Sequence, residues 1–130
     1  MLARDAAIRD ARRAAIQPLL DMVTARSNRF YDAALAAHAQ RTDALDSIEA
    51  ELIAQRPPAL SYLAIEDERV HAARKRVRDA EEEIAKLITG RHQPGAAAVD
   101  ANVIFERARN YRAAAVELHQ AAERYWEALT

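Results

Sequence analysis

Residues 101–129 read ANVIFERARNYRAAAVELHQAAERYWEAL, and a 3-4 repeat runs through them: Ala101, Ile104, Ala108, Tyr111, Ala115, Leu118, Ala122, Tyr125, Leu129. Alanine alternates with a large side chain along this seam. Sustained heptads of this kind predict a helix whose knobs fill holes on a neighbouring helix. Alanine at every other seam position brings the two axes toward the short end of the usual range of about 8–10 Å. The segment upstream keeps the same period, with Leu63, Val70, Val77 and Ile84 beside Glu66, Ala73, Ala80 and Leu87. If the loop at 90–95 makes an antiparallel hairpin, residues whose numbers sum to about 185 face each other. Val70 then meets Ala115 and Val77 meets Ala108, large against small.

The helix breakers set the boundaries. They are Pro18, the pair Pro57-Pro58, and the cluster Gly90, Pro94, Gly95. Between them lie helices expected at about 19–55, 59–89 and 96–129, each roughly 45–55 Å long. The expected fold is all-α: an elongated up-down-up three-helix bundle or coiled coil over 18–130, preceded by a helical arm at 1–17. Pro18 removes the amide that would bond the Ala14 carbonyl, so a kink is expected there, with the arm leaving the bundle. Pro58 suits a first helical position and Gly90 a C-terminal cap. In 19–55 the apolar stripe Leu20, Val23, Phe30, Ala34, Leu45, Ile48, Leu52 weakens at Ser27, His38 and Thr42. That weakness is open to three readings: a local break, a polar layer, or a face shared with another chain.

Composition agrees with the all-α reading. Hydrophobic residues are 51% of the 130, but 32 of them are Ala, and there are two Gly and no Cys. A β-sandwich or doubly wound α/β chain needs more β-branched and aromatic residues and more turns. Nineteen basic residues balance twenty acidic ones, so bulk attraction to nucleic acid or to an acidic membrane is not built in. No apolar run approaches the ~18 residues of a membrane span. The start of the chain lacks the apolar core of a secretory signal. A cytoplasmic or assembly-bound protein is expected, with no cofactor and no membrane partner. Without Cys there are no disulfides, thiolate metal sites or cysteine nucleophiles.

Residues that carry chemistry are few. Glu68 and His71 have the Glu-x-x-His spacing of di-iron bundles, but no second copy follows, and His71 next to seam residue Val70 is expected to face solvent. Phe105, Arg112, His119 and Trp126 form their own heptad column. Such a column suits a docking face, or else it packs on helix 19–55 of the same chain. Glu66 and His119 fall opposite each other in the hairpin register, and are expected to form an internal polar pair. Arg4, Arg9, Arg12 and Arg13 make the arm basic, offset by Asp5 and Asp10. The run Arg74-Lys75-Arg76 with Arg78 precedes Asp79, Glu81, Glu82 and Glu83, and reads as solvated charge. There is no phosphate loop, HExxH or nucleophile elbow.

Arg112 and His119, with six residues between them, resemble the Arg-(x4–6)-His signature of small helical ribonucleases of the HEPN type. That resemblance implies RNA cleavage using those two residues. In that family a polar residue follows the Arg, which sits near a helix start; here Ala113 follows and Arg112 is expected mid-helix.

The leading expectation is a non-enzymatic structural or interaction protein, a helical subunit or adaptor that binds protein and forms homo-oligomers. Its candidate interface is the Phe105 column together with the arm arginines. A small nucleic-acid-associated helical protein using the arm is the alternative, and a HEPN-like ribonuclease the third reading.

Overall fold

The computed structural model describes residues 2–55 and 65–128. Four α-helices pack against one another: α1 Leu2–His38, α2 Thr42–Ala54, α3 Glu68–Gly90 and α4 Ala101–Glu127. No strand occurs among the described residues. The chain is an all-helical bundle.

The longest contact is between α1 and α4, and a ladder of pairs fixes its direction. Arg12 reaches the Tyr125 carbonyl, Thr24 meets His119, Phe30 meets Tyr111, and Tyr31 meets Phe105. Numbers rise along α1 as they fall along α4, so the helices are antiparallel. The α3–α4 pair behaves the same way: Arg76 bonds Glu117 at 2.5 Å, Val77 shares a cavity with Tyr111, and Leu87 shares one with Val103. Seam residues Val70, Val77, Ile84, Ile104, Ala108, Tyr111, Ala115 and Leu118 are all buried. α2 folds back on α1 and touches α3.

Several boundaries differ from the sequence expectation, each for a local reason. The helix expected over 19–55 is interrupted at 39–41. Gln40 adopts a left-handed φ of 56°, its N–H donates to the Ala37 carbonyl (3.1 Å), and the Arg41 N–H donates to Ala36 (2.8 Å). This pair of bonds is a Schellman ending. His38 and Thr42 flank it, so two of the weak positions in the stripe mark a local break, whereas Ser27 is buried. α3 begins at Glu68 because the Asp67 carboxylate accepts from the N–H groups of Arg69 (2.9 Å) and Val70 (3.0 Å). α4 begins at Ala101, not 96, because Asp100 accepts from the Asn102 N–H at 2.8 Å. Gly90 ends α3 without a left-handed φ; the glycine that uses that freedom is Gly95 (φ 77°), after Pro94 in the turn closed by Ala96 N–H on Gln93. The expectations placed on Pro57, Pro58, Leu63 and Leu129 lie outside the described residues.

α1 runs as one helical element through Pro18. Both Pro18 and Ala14 are exposed, so the carbonyl that loses its amide partner faces water. Ile16, Leu19 and Leu20 are buried on either side, and their packing holds the two halves to the same bundle. The inner part of the expected arm therefore has a partner in its own chain. Arg12 donates to the Tyr125 carbonyl at 3.1 Å and to that of Ala128, and Arg13 lies 5.4 Å from the centre of the Trp126 ring. Residues 2–11 differ: only Asp5 and Ile8 are even partly covered.

Candidate functional site

The Phe105 column lies at the seam between α4 and α1. Phe105 faces the Tyr31 ring at 6.4 Å, His119 Nε2 sits 3.2 Å from Thr24 Oγ1, and Trp126 carries the Arg13 guanidinium. All three are half-buried, while Arg112 is exposed. Three members of the column thus touch α1 of their own chain. Arg4 and Arg9 are exposed, and Arg12 is half-buried, stacked 5.4 Å over Tyr125.

The structure does not form the expected polar pair. Glu66 is exposed, in the extended stretch before α3, and His119 pairs with Thr24 instead. The reason lies in the start of α3: with Asp67 as cap, Glu66 falls outside the helix, and the heptad that placed it on the seam does not reach it. His71 is also corrected. It is half-buried and does not face solvent, because its Nε2–H donates to the Ile65 carbonyl at 2.7 Å. Arg112 and His119 sit two turns apart on one helix, roughly 10 Å by helical rise, with the His ring on α1 and the Arg in water.

The polar features that sequence reasoning missed are inter-helical. Arg26 is buried on α1, pairs with Glu81 of α3, and its Nη2 donates to the Gln55 carbonyl at 2.6 Å. One sequence signal exists: Arg74, Glu81 and Ile88 recur every seven residues in the column beside the α3 seam, the column a third helix would cover. Arg29 grips Glu51 with two bonds, Nε at 2.8 Å and Nη2 at 2.7 Å, tying α1 to α2. Those hydrogen bonds hold the Glu51 carboxyl below its ordinary value and raise Arg29. At the other end of α2, Arg91 Nη2 donates to Asp46 (2.5 Å) and Glu49 (3.3 Å), and His92 Nε2 lies 2.8 Å from Glu49.

Asp46, Glu49 and His92 bring three potential ligand atoms within 4.8 Å of one another. The Arg91 guanidinium already lies on both carboxylates, so a cation would have to displace it. The cluster works as a clasp between the α3–α4 connection and α2. Tyr111 is the remaining titratable group of note. Burial and the neighbouring Glu81 carboxylate push its hydroxyl far above the usual tyrosine value, so it stays protonated.

Among the described residues, no helix is long and apolar enough to cross a membrane. Compared with known proteins, the chain matches no family profile, no curated protein and no solved structure.

Proposed function

We propose that this chain is a non-enzymatic helical subunit or adaptor, acting inside the cell or within a larger assembly, that docks other protein through the outer part of α1 and first of all binds a second copy of itself. One observation carries this reading. Leu2 and Ile8 continue the stripe that Ile16 and Leu20 bury against the bundle, yet Leu2 is 87% exposed. An isolated helix of this length is marginal in water, so an ordered one is best explained by a docked partner. Asp5 and Arg9 lie one turn apart on one helix face, and an antiparallel second copy would set each Arg9 against the other copy's Asp5.

The bundle itself, with α1, α3 and α4 as its antiparallel coiled-coil core, then serves as the rigid body that presents this segment. Sedimentation of the full chain against a Leu2→Glu, Ile8→Glu variant tests the reading. The full chain should run as a dimer or larger and the variant as a helical monomer. A wild-type chain that stays monomeric at high concentration contradicts it.

A further inference from the structure

Asp46 and Glu49 stand one turn apart on α2, so their carboxylates share one face of that helix. His92 comes to the same place from the turn that follows α3, where its backbone N–H donates to the Thr89 carbonyl at 3.2 Å. Its Nε2 lies 2.8 Å from Glu49 Oε1, and the three ligand atoms fall within 4.8 Å of one another. No other three side chains of these types come so close among the described residues. A tetrahedral zinc ion needs its ligand atoms about 3.4 Å apart, so shifts of about 1 Å complete three of its corners. One imidazole nitrogen with two carboxylate oxygens is a donor set for first-row transition metals, whereas calcium and magnesium prefer oxygen alone.

In the metal-free chain Arg91 holds that place, its Nη2 donating to Asp46 (2.5 Å) and Glu49 (3.3 Å). Two features make it a displaceable occupant. With His92 neutral, one guanidinium faces two carboxylates, and a divalent ion would cancel both charges in full. The Arg91 Nε is buried without a hydrogen-bond partner, a cost that the paired arrangement carries and a turned-out side chain does not. Arg91 also lines a groove of about 330 Å³ beside Gln40, Thr42 and Ala97, which gives the guanidinium a place to turn. The His92 ring offers its Nε2 lone pair once its proton sits on Nδ1, so no net proton has to leave.

We propose that Asp46, Glu49 and His92 form a binding site for a divalent transition metal of the zinc class, which takes over from Arg91 and ties α2 to the turn after α3. Arg91 lies beside Ala37 and Gln40, at the opposite end of α1 from Leu2, so the site stands apart from self-association through the outer part of α1.

The test titrates the untagged full chain with zinc chloride by calorimetry, with magnesium chloride as the comparison. Wild type should bind one zinc ion per chain and gain a few degrees of Tm at about 100 µM zinc, with no gain from magnesium. His92→Gln and Glu49→Gln should each keep the helical circular dichroism and lose at least about tenfold in zinc affinity. Arg91→Gln removes the competing cation and should bind zinc more tightly than wild type, a direction that binding at another histidine would not give. No binding to wild type overturns the proposal, as does equal stabilisation by magnesium. So does wild-type affinity in His92→Gln or Glu49→Gln, or weaker binding in Arg91→Gln.

Discussion

The Phe30 and Tyr111 rings meet edge to face, centroids 4.8 Å apart and planes at 83°, and this contact locks α1 to α4 at the centre of the bundle. Both residues are essentially fully buried. The geometry is the favoured edge-to-face arrangement, which adds about 0.5–1.5 kcal/mol to the burial of two large rings. It also sets the register of the longest helix pair.

Phe30→Ala should therefore cost about 3–5 kcal/mol in urea unfolding, because it removes a buried ring and leaves a cavity beside Tyr111. A cost below about 1 kcal/mol would mean the two helices do not meet there.

The Arg26–Glu81 pair crosses from α1 to α3 with side chains 5% and 23% exposed. Glu81→Ala strands a buried guanidinium and should cost on the order of 3 kcal/mol. The double change Arg26→Leu, Glu81→Leu removes both charges, and should recover stability to within about 1 kcal/mol of wild type. A double variant as damaged as the single one would show that the packing there depends on the ion pair itself.

Gln40 carries a side chain in a left-handed conformation, where a Cβ is penalised. Gln40→Gly keeps both Schellman hydrogen bonds and should stabilise the chain by about 1 kcal/mol. Most Gly substitutions destabilise, so a gain would be diagnostic of the α1–α2 ending.

Glu51 gives a pH dependence with a definite sign. Hydrogen bonds from Arg29 hold its folded pKa below the ordinary value of 4.5. Below that value the unfolded chain takes up the proton first, so the contribution present at neutral pH is lost as pH falls through the folded pKa. Stability should drop more steeply between about pH 5 and pH 3 in wild type than in Glu51→Gln. Both partners are more than a third exposed, so the difference should be small and should shrink in high salt. Identical pH profiles would mean the bidentate pair is not held in solution.

The parts of this architecture legible in the sequence are those written in periodicity. Heptads in α3 and α4 gave two helices and their shared seam, because every seventh residue there is buried for the same reason. What escaped depends on single residues or distant pairs. Gln40 ends α1 without the glycine that usually signals such an ending. Asp67 and Asp100 cap their helices several residues beyond the Pro and Gly breakers, and short-range capping bonds decided those boundaries. Arg26 meets Glu81 across a separation of 55 residues, which no local pattern encodes. The Glu66–His119 pair failed because it extended the heptad past the point where α3 begins. Of the candidate interface, the column Phe105, His119, Trp126 faces α1 of its own chain, whereas Arg4 and Arg9 remain in the open.

Self-association through the outer part of α1 is the central claim, and an inter-chain distance tests it most directly. The sequence contains no Cys, so Ala7→Cys carries a single spin label, on the helix face turned away from Leu2 and Ile8. Dipolar spectroscopy on the full-length labelled chain should show a defined distance between copies below about 40 Å, the span of two paired helices with their labels. That distance should vanish when Leu2→Glu and Ile8→Glu are added. A labelled wild-type chain with no inter-chain dipolar signal, and a solution mass of one chain at high concentration, would contradict the account.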